Sequence, residues 1–289
     1  MTRATGLAVD FGGTKIAAAR LVDGEITRQA HVQTTDVNDP AAQIGDICDL
    51  LDQLSVAPAD RIAVAVTGRV SAGGVWRAVN AKTLPNIHSV DLAAILSEKF
   101  GRNVSVQNDA TAAAVGEYVA GAGRGYRSIG FITVSTGVGG GFVLNGVPLV
   151  SASGLAGHVG FTTSRVARDT CGSGRHATVE SVASGRAIAR IATARGHPSL
   201  DAKAVYQAHL AGVDWASVLI RQSGEAVAEL CANLKTTLDL DAILIGGGIG
   251  LAEGYLALVE SYLQTEPEIF RVPLLRADLG IRATFIGAL

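Results

Sequence analysis

Eight consecutive residues, Ala8-Val9-Asp10-Phe11-Gly12-Gly13-Thr14-Lys15, bring together a carboxylate, a glycine pair, a hydroxyl and an ammonium. Glycine lacks Cβ, so the backbone there can turn tightly and offer bare N–H groups to an anion, with Thr14 and Lys15 adding a donor and a point charge. Asn108-Asp109 lies between the strand-like run Val104–Gln107 and the alanine-rich run 110–119. That places a carboxylate at a helix N-terminus, where the dipole favours its ionised form and keeps it available as a proton acceptor; a plain helix cap is the competing reading. Ser135-Thr136-Gly137-Val138-Gly139-Gly140-Gly141 repeats the glycine and hydroxyl pattern, and Gly246-Gly247-Gly248 forms a third bare stretch, suited to the face of an adenine or its ribose. A single glycine loop in a hairpin is weak evidence. Three in this order, with an acid at a helix start, describe a site for a polyphosphate gripped from two sides.

The elements that must position these groups follow from hydrophobic periodicity. The first loop joins strand to strand, because Ile16–Val22 is apolar and Asp23-Gly24 is a hairpin turn before a second run through Ile26 and Val32. This separates it from phosphate loops that pass from a strand into a helix. Ile44, Ile47, Leu50, Leu51 and Leu54 have helical spacing, and Pro58 helps to end that helix. Ile62–Val66 is apolar without alternation, as a central strand buried on both faces would be, and it delivers Thr67-Gly68 at its C-terminal end, where ligands bind in such sheets. Residues 75–85 read as irregular, with Asn80 and Thr83 either on a pocket wall or in a surface loop. A helix is expected over 91–100, with Ser89 as cap and Gly101 as stop. Strand, glycine loop, strand and an Asn145-Gly146 turn recur over 128–146. A helix runs through Val227, Leu230, Leu234 and Leu238, then the strand Ile243–Ile245 enters the third glycine loop, and another helix begins near Ala252.

Composition narrows the function classes. At about 150 residues per domain, 289 residues make roughly two domains with ample core. With 48% hydrophobic and 17% charged residues and a net charge of -2, the chain has neither the composition of a disordered protein nor a broad basic face, so a small molecule is the expected partner and nucleic acid is not. Met1–Thr5 leads straight into the first strand without room for a signal peptide, and apolar runs stay short of the roughly 18 residues of a membrane span, so a cytoplasmic chain without membrane partners is expected. Cys48, Cys171 and Cys231 are too scattered for a disulfide framework.

These motifs together resemble the ROK group of sugar kinases within the actin and hexokinase-like ATPase superfamily, over the whole chain. Asp10–Lys15 is similar to the family's first phosphate motif, 135–141 to its second, Asn108-Asp109 to its catalytic pair and Glu180 to its sugar-binding glutamate. The stretches 131–141, 153–160 and 250–260 resemble family members acting on N-acetylmannosamine. The resemblance implies an α/β, two-lobed fold with a duplicated ribonuclease-H-like domain: an N-terminal lobe over 1–108, joined by a C-terminal helix at about 276–289, and a larger lobe over 109–275 carrying ATP and dimer elements. It implies phosphorylation of the 6-hydroxyl of a hexose or N-acetylhexosamine by ATP. Residues 8–15 and Thr133, Val134, Ser135, Thr136, Gly137, Val138, Gly139 and Gly140 would line the triphosphate. Asp10 would hold Mg²⁺ directly or through water. Gly68, Asn80, Thr83, Asn108, His158 and Glu180 would meet the sugar, and Asp109, with an ordinary or lowered pKa, would take its proton. A homodimer is also implied, as two-fold dimers are the commonest oligomers.

Two departures stand out. His158, in Gly157-His158-Val159-Gly160-Phe161, replaces a sugar-contacting carboxylate of many relatives, although members acting on N-acetylmannosamine can also have histidine; read alone, without the family, it is better taken as a satisfied, partly buried histidine. Thr83 replaces a usual asparagine. Many relatives also hold a structural zinc through one histidine and three cysteines. The aligned positions here are Phe161, Cys171, Ser173 and Thr178, a set with one surviving donor, so structural zinc is expected to be absent. A makeshift site from His158, Cys171 and His176 would consume the imidazole expected on the sugar. The 161–178 loop must then hold Glu180 by packing and hydrogen bonds, with Phe161 filling apolar space near the lost metal.

Overall fold

Strand β1 (Gly6–Phe11) is apolar along most of its length because elements cover both its faces. It pairs antiparallel with β2 (Lys15–Val22), and Asp23-Gly24, with φ of 52° and 84°, returns β2 into β3 (Glu25–Gln33), the backbone that an Asp-Gly hairpin favours. The computed structural model describes residues 4–12, 15–34, 39–80 and 84–289, so Gly13, Thr14 and Thr83 lie outside the described residues.

Helix α1 (Pro40–Gln53) starts on Asp39, whose carboxylate accepts from Ala41 N, with Pro40 in the first turn where no N–H is needed. It buries Ile47, Leu50 and Leu51 against the sheet and leads to β4 (Ile62–Val66), fully buried and parallel to β1. Of the segment read as irregular, 75–77 instead forms β6 (Val75–Arg77), the middle strand of a small antiparallel sheet with β5 (Arg69–Val70) and β7 (Val90–Asp91). Trp76 gives it a core: the ring is fully buried edge-on to Phe11, and its Nε1 donates to Thr67 O at 2.8 Å. Helix α2 (Leu92–Phe100) is capped by Asp91, not Ser89, through a bond from Ala94 N, and stops at Gly101 with φ 63°. Strand β8 (Val104–Asn108) completes a sheet of order β3-β2-β1-β4-β8.

After α3 (Asp109–Ala120) the pattern is built again. Strands β9 (Ile129–Val134) and β10 (Val138–Leu144) are antiparallel, Asn145-Gly146 (φ 51° and 80°) returns the chain into β11 (Val147–Pro148), and β12 (Ala242–Gly246) and β13 (Leu274–Arg276) add in parallel, giving the order β11-β10-β9-β12-β13. The second glycine loop is therefore shorter than expected, because Gly139–Gly141 are already paired in β10. Between β11 and β12 lie α4 (Glu180–Ala183), α5 (Gly185–Ala194), α6 (Ala202–Leu210) and α7 (Asp214–Leu238), whose apolar faces form the second core. The third glycine loop is itself one helical turn, α8 (Gly247–Gly250), and the following helix, α9 (Tyr255–Leu263), starts later than Ala252.

The last helix, α10 (Ile281–Ala288), returns to the first sheet, packing on α3, β1 and β4. Bare Gly116 and Gly287 let α3 and α10 touch: a Cβ on Gly116 would lie 2.7 Å from the Ala283 carbonyl carbon. The fully buried Glu117 locks this junction, its carboxylate accepting from Ala122 N (3.0 Å), Asp278 N (2.9 Å) and Leu279 N (2.8 Å). The helix carrying Asp109 is thus held between the two sheets.

Candidate active site

The two sheets meet at a cleft of about 360 Å³. Gly12 reaches it from the first hairpin, Thr133, Ser135, Thr136, Gly137, Val138, Gly139 and Gly140 from the second, and Gly68, Asn80, Asn108, Asp109, His158 and Glu180 line it as well. Segments far apart in the chain converge there because each sits at the end of a strand or the start of a helix. Ala8, Val9, Phe11 and Val134 do not expose side chains to a ligand: all are core residues at 0% exposure, so they can act only through backbone and by fixing their neighbours. Lys15, at the start of β2, is exposed and lies outside the cleft lining. Gly246, Gly247 and Gly248 sit behind the second loop, where a Cβ on Gly247 would lie 2.6 Å from Thr133 Oγ1.

Asp109 is brought to the cleft floor by the approach of α3 to β10. Gly141 permits it, since a Cβ there would lie 2.7 Å from Thr111 Cα. The helix cap is Asn108, whose Oδ1 accepts from Thr111 N at 3.0 Å. Its Nδ2 donates to Gly68 O and to Asp109 Oδ1, each at 2.9 Å. Asn108 thus lines the cleft, where the resemblance puts a sugar contact, and its amide also fixes Asp109. The Asp109 carboxylate also accepts from Ala110 N at 2.8 Å.

The expected ordinary or lowered pKa of Asp109 is not what the site produces. Burial pushes it up to about 7, repulsion from Asp10 adds to the rise, and the bonds from Ala110 and Asn108 only partly oppose them. The helix-terminus effect invoked from the sequence, typically ~0.3–1 kcal/mol, is smaller than the cost of enclosing two carboxylates together. Burial likewise raises Asp10 to about 6.

Across the cleft, Glu180 is fixed by hydrogen bonds. Thr178 and Ser181 cap each other reciprocally, with Ser181 N donating to Thr178 Oγ1 (3.2 Å) and Thr178 N to Ser181 Oγ (3.1 Å), at the start of α4. Glu180 Oε2 accepts from Val138 N at 3.2 Å, and Gly137 leaves room for it, since a Cβ there would lie 2.9 Å from that oxygen. Burial raises the Glu180 pKa, opposed by Val138 N–H and the Arg186 charge. The 161–178 loop is braced by bridges between Thr163 and Thr178 and between Thr170 and His176, by the Arg190–Asp169 ion pair at 2.9 Å, and by Cys171 Sγ at 3.0 Å from Ser173 Oγ. Phe161 lines the cleft, stacked on the His158 ring with centroids 6.0 Å apart. His158 Nδ1 lies 3.3 Å from Leu155 O. Burial lowers its pKa, so the ring is neutral, and donation from Nδ1 to that carbonyl leaves Nε2 as an acceptor. Among the described residues, no three His, Cys, Asp or Glu side chains cluster as a metal site.

Arg186 escaped the sequence reading. It lines the cleft from the first turn of α5, where Gly185 N and Arg186 N donate to Ser135 O and Thr136 O and dock the helix on the second glycine loop. A cation six residues beyond Glu180, just after the helix cap Ser184, was the available signal.

Two sheets of like strand order, with Gly12 of the first and the 135–140 turn of the second lining one cleft with buried Asp109, fit a nucleotide-dependent phosphotransferase of the two-lobed, actin-like ATPase fold. The chain belongs to the ROK family, whose model matches residues 6–289. It is 41% identical over 286 residues to N-acetylmannosamine kinase of Escherichia coli O157:H7, covering 98% of this chain and 97% of that one. It is 39% identical over 282 residues to the Haemophilus influenzae (strain Rd) enzyme of the same name, covering 98% and 93%. The ROK family glucokinase of Streptomyces griseus, solved with glucose and AMPPNP, superposes with a TM-score of 0.82 at 27% identity, covering 99% and 98%.

Proposed function

We propose that this ATP-dependent sugar kinase acts on N-acetylmannosamine, forming its 6-phosphate. The observation that carries the chemistry is Asp109, enclosed at the meeting point of two phosphate loops with its carboxyl poised near neutrality. The 6-oxygen attacks the γ-phosphorus, its bond to the β,γ-bridging oxygen breaks, ADP leaves, and the hydroxyl proton passes to Asp109. A base whose pKa lies near the working pH suits that transfer. Gly137, Val138, Gly139, Gly140 and the cationic Arg186 line the cleft where phosphate charge would lie, so catalysis is mostly positioning and charge neutralisation. Asn108 fixes Asp109 through its amide. Glu180, Asn80 and Gly68 surround the sugar, with the neutral His158 presenting an acceptor to a hydroxyl or to the amide N–H of an N-acetyl group.

The donor set fits Mg²⁺. Asp10 and Asp109 offer hard oxygens, both pushed up by burial and Asp109 further by the Asp10 charge, and a pair of carboxylates suits an ion that keeps its waters and binds phosphate. Asp10 would hold it, and when bound it supplies charge neutralisation at the transferring group.

The substrate assignment is supported by the relatives at 39–41% identity and by histidine at 158. Measuring kcat/KM on N-acetylmannosamine, N-acetylglucosamine, mannose and glucose tests it. The N-acetylmannosamine value is expected to be highest, and a preference for glucose would refute the assignment.

A further inference from the structure

The turn at Cys171-Gly172-Ser173 belongs to the loop that relatives brace with zinc, yet here it serves a second purpose. A Cβ on Gly172 would fall on the side-chain amide of Asn80, 2.6 Å from Oδ1 and nearer still to Nδ2. Asn80 belongs to the first lobe and is tied there by Leu84 N donating to Asn80 O at 3.2 Å. Its side chain, part of the cleft lining, therefore rests on the bare backbone of Gly172 in the second lobe. Nearby, Arg69 Nη1 donates to Ser153 O at 3.3 Å, and Gly154 sits directly on the Val70 backbone, so the two lobes are seated on each other along this edge.

We propose that Gly172 is a positioning residue for the sugar: its missing side chain is the seat on which the Asn80 carboxamide is held at the cleft wall. The inference rests on the reading of Asn80 as a sugar-contacting residue. A methyl group at 172 displaces the carboxamide, and the sugar loses that hydrogen bond. The backbone at 172 is outside the left-handed region, so alanine brings no strain of its own, and the nucleotide loops are untouched. Gly174 is the matched control: with φ 85° and open space around it, alanine there strains the same turn without meeting Asn80.

The test is sugar affinity, read as Kd by titration calorimetry and as KM, for wild type, Gly172→Ala, Gly174→Ala, Asn80→Ala and the Asn80→Ala/Gly172→Ala pair, with AMPPNP affinity measured in parallel. Gly172→Ala is expected to weaken N-acetylmannosamine binding by about tenfold, the loss of one hydrogen bond, with AMPPNP affinity within twofold of wild type. Gly174→Ala should leave sugar affinity unchanged, and the double variant should match Asn80→Ala, because a displaced side chain that is already absent cannot be lost twice. Equal weakening by both glycine variants, or effects that multiply in the pair, would show that 172 acts through general loop structure and overturn the proposal. If Asn80→Ala weakens binding and Gly172→Ala does not, the seat alone is refuted. If Asn80→Ala leaves the affinity unchanged, Asn80 does not hold the sugar and both ideas fall. Sugar binding is measured directly, so an error in the assignment of the phosphorylated product is separately visible.

Discussion

Replacing Asp109 by asparagine should make the protein more stable as pH rises while nearly abolishing turnover. The carboxyl is raised from an ordinary 3.8 to about 7, first by burial and then by Asp10. A carboxyl raised in the folded state binds its proton more tightly there than in the unfolded chain. Its contribution is therefore fully present below about 4 and is lost as pH climbs towards 7. At ~1.4 kcal/mol per pH unit, wild type should lose about 3 kcal/mol from this group between pH 5 and 8. Asparagine cannot ionise, and its Oδ1 can still accept from Ala110 N and Asn108 Nδ2, so the variant escapes that loss. Any fixed cost of the substitution, such as the ~0.3–1 kcal/mol dipole interaction, is small beside the change with pH. For a chain this long, 1 kcal/mol moves Tm by about 2 °C, so the gap between variant and wild type should widen by ~5 °C from pH 5 to pH 8. Thermal melts in metal-free buffer at both pH values give the answer, with kcat measured on the same samples and expected to fall about 10²-fold or more. A Tm gap that stays constant with pH, or that widens in favour of wild type, would refute the account of a buried, repelled carboxyl. An unchanged kcat would leave Asp109 as no more than a first-turn residue of α3.

The same titration should shape the rate. kcat/KM for the sugar should fall with a one-proton slope as pH drops through a midpoint at or below 7, and a flat profile from pH 5 to 8 would remove Asp109 as the base. Protein purified without chelator should carry well under one zinc per chain and keep its activity after chelation once Mg²⁺ is restored; a tightly held equivalent would mean that the 161–178 loop recruits donors other than the aligned set. Light scattering at micromolar concentration is expected to give a homodimer, and a monomer would count against it.

Local chemistry was legible wherever neighbours in sequence are neighbours in space. Asp23-Gly24 and Asn145-Gly146 announce their hairpins because both residues of each turn need positive φ, and the unbroken apolar run Ile62–Val66 marks a strand covered on both faces. The position of Asp109 at a helix start was also readable, as was Gly101 as a helix stop. Short strands such as Val75–Arg77 were not, since three residues carry too little periodicity and only the burial of Trp76 makes them a sheet.

By itself, then, the sequence determined the strand–loop–strand units, their glycine content and the presence of an acid at the start of α3, because turn chemistry and hydrophobic period act over a few residues. Tertiary structure alone decided what those groups do. It set Asp10 against Asp109 and reversed the expected direction of a pKa, bonded Asn108 to the Asp109 carboxylate, stacked Phe161 on His158, brought Arg186 to the cleft and laid Asn80 on Gly172. Desolvation and repulsion depend on what surrounds a group in three dimensions, and neither leaves a trace in the spacing of residues along the chain.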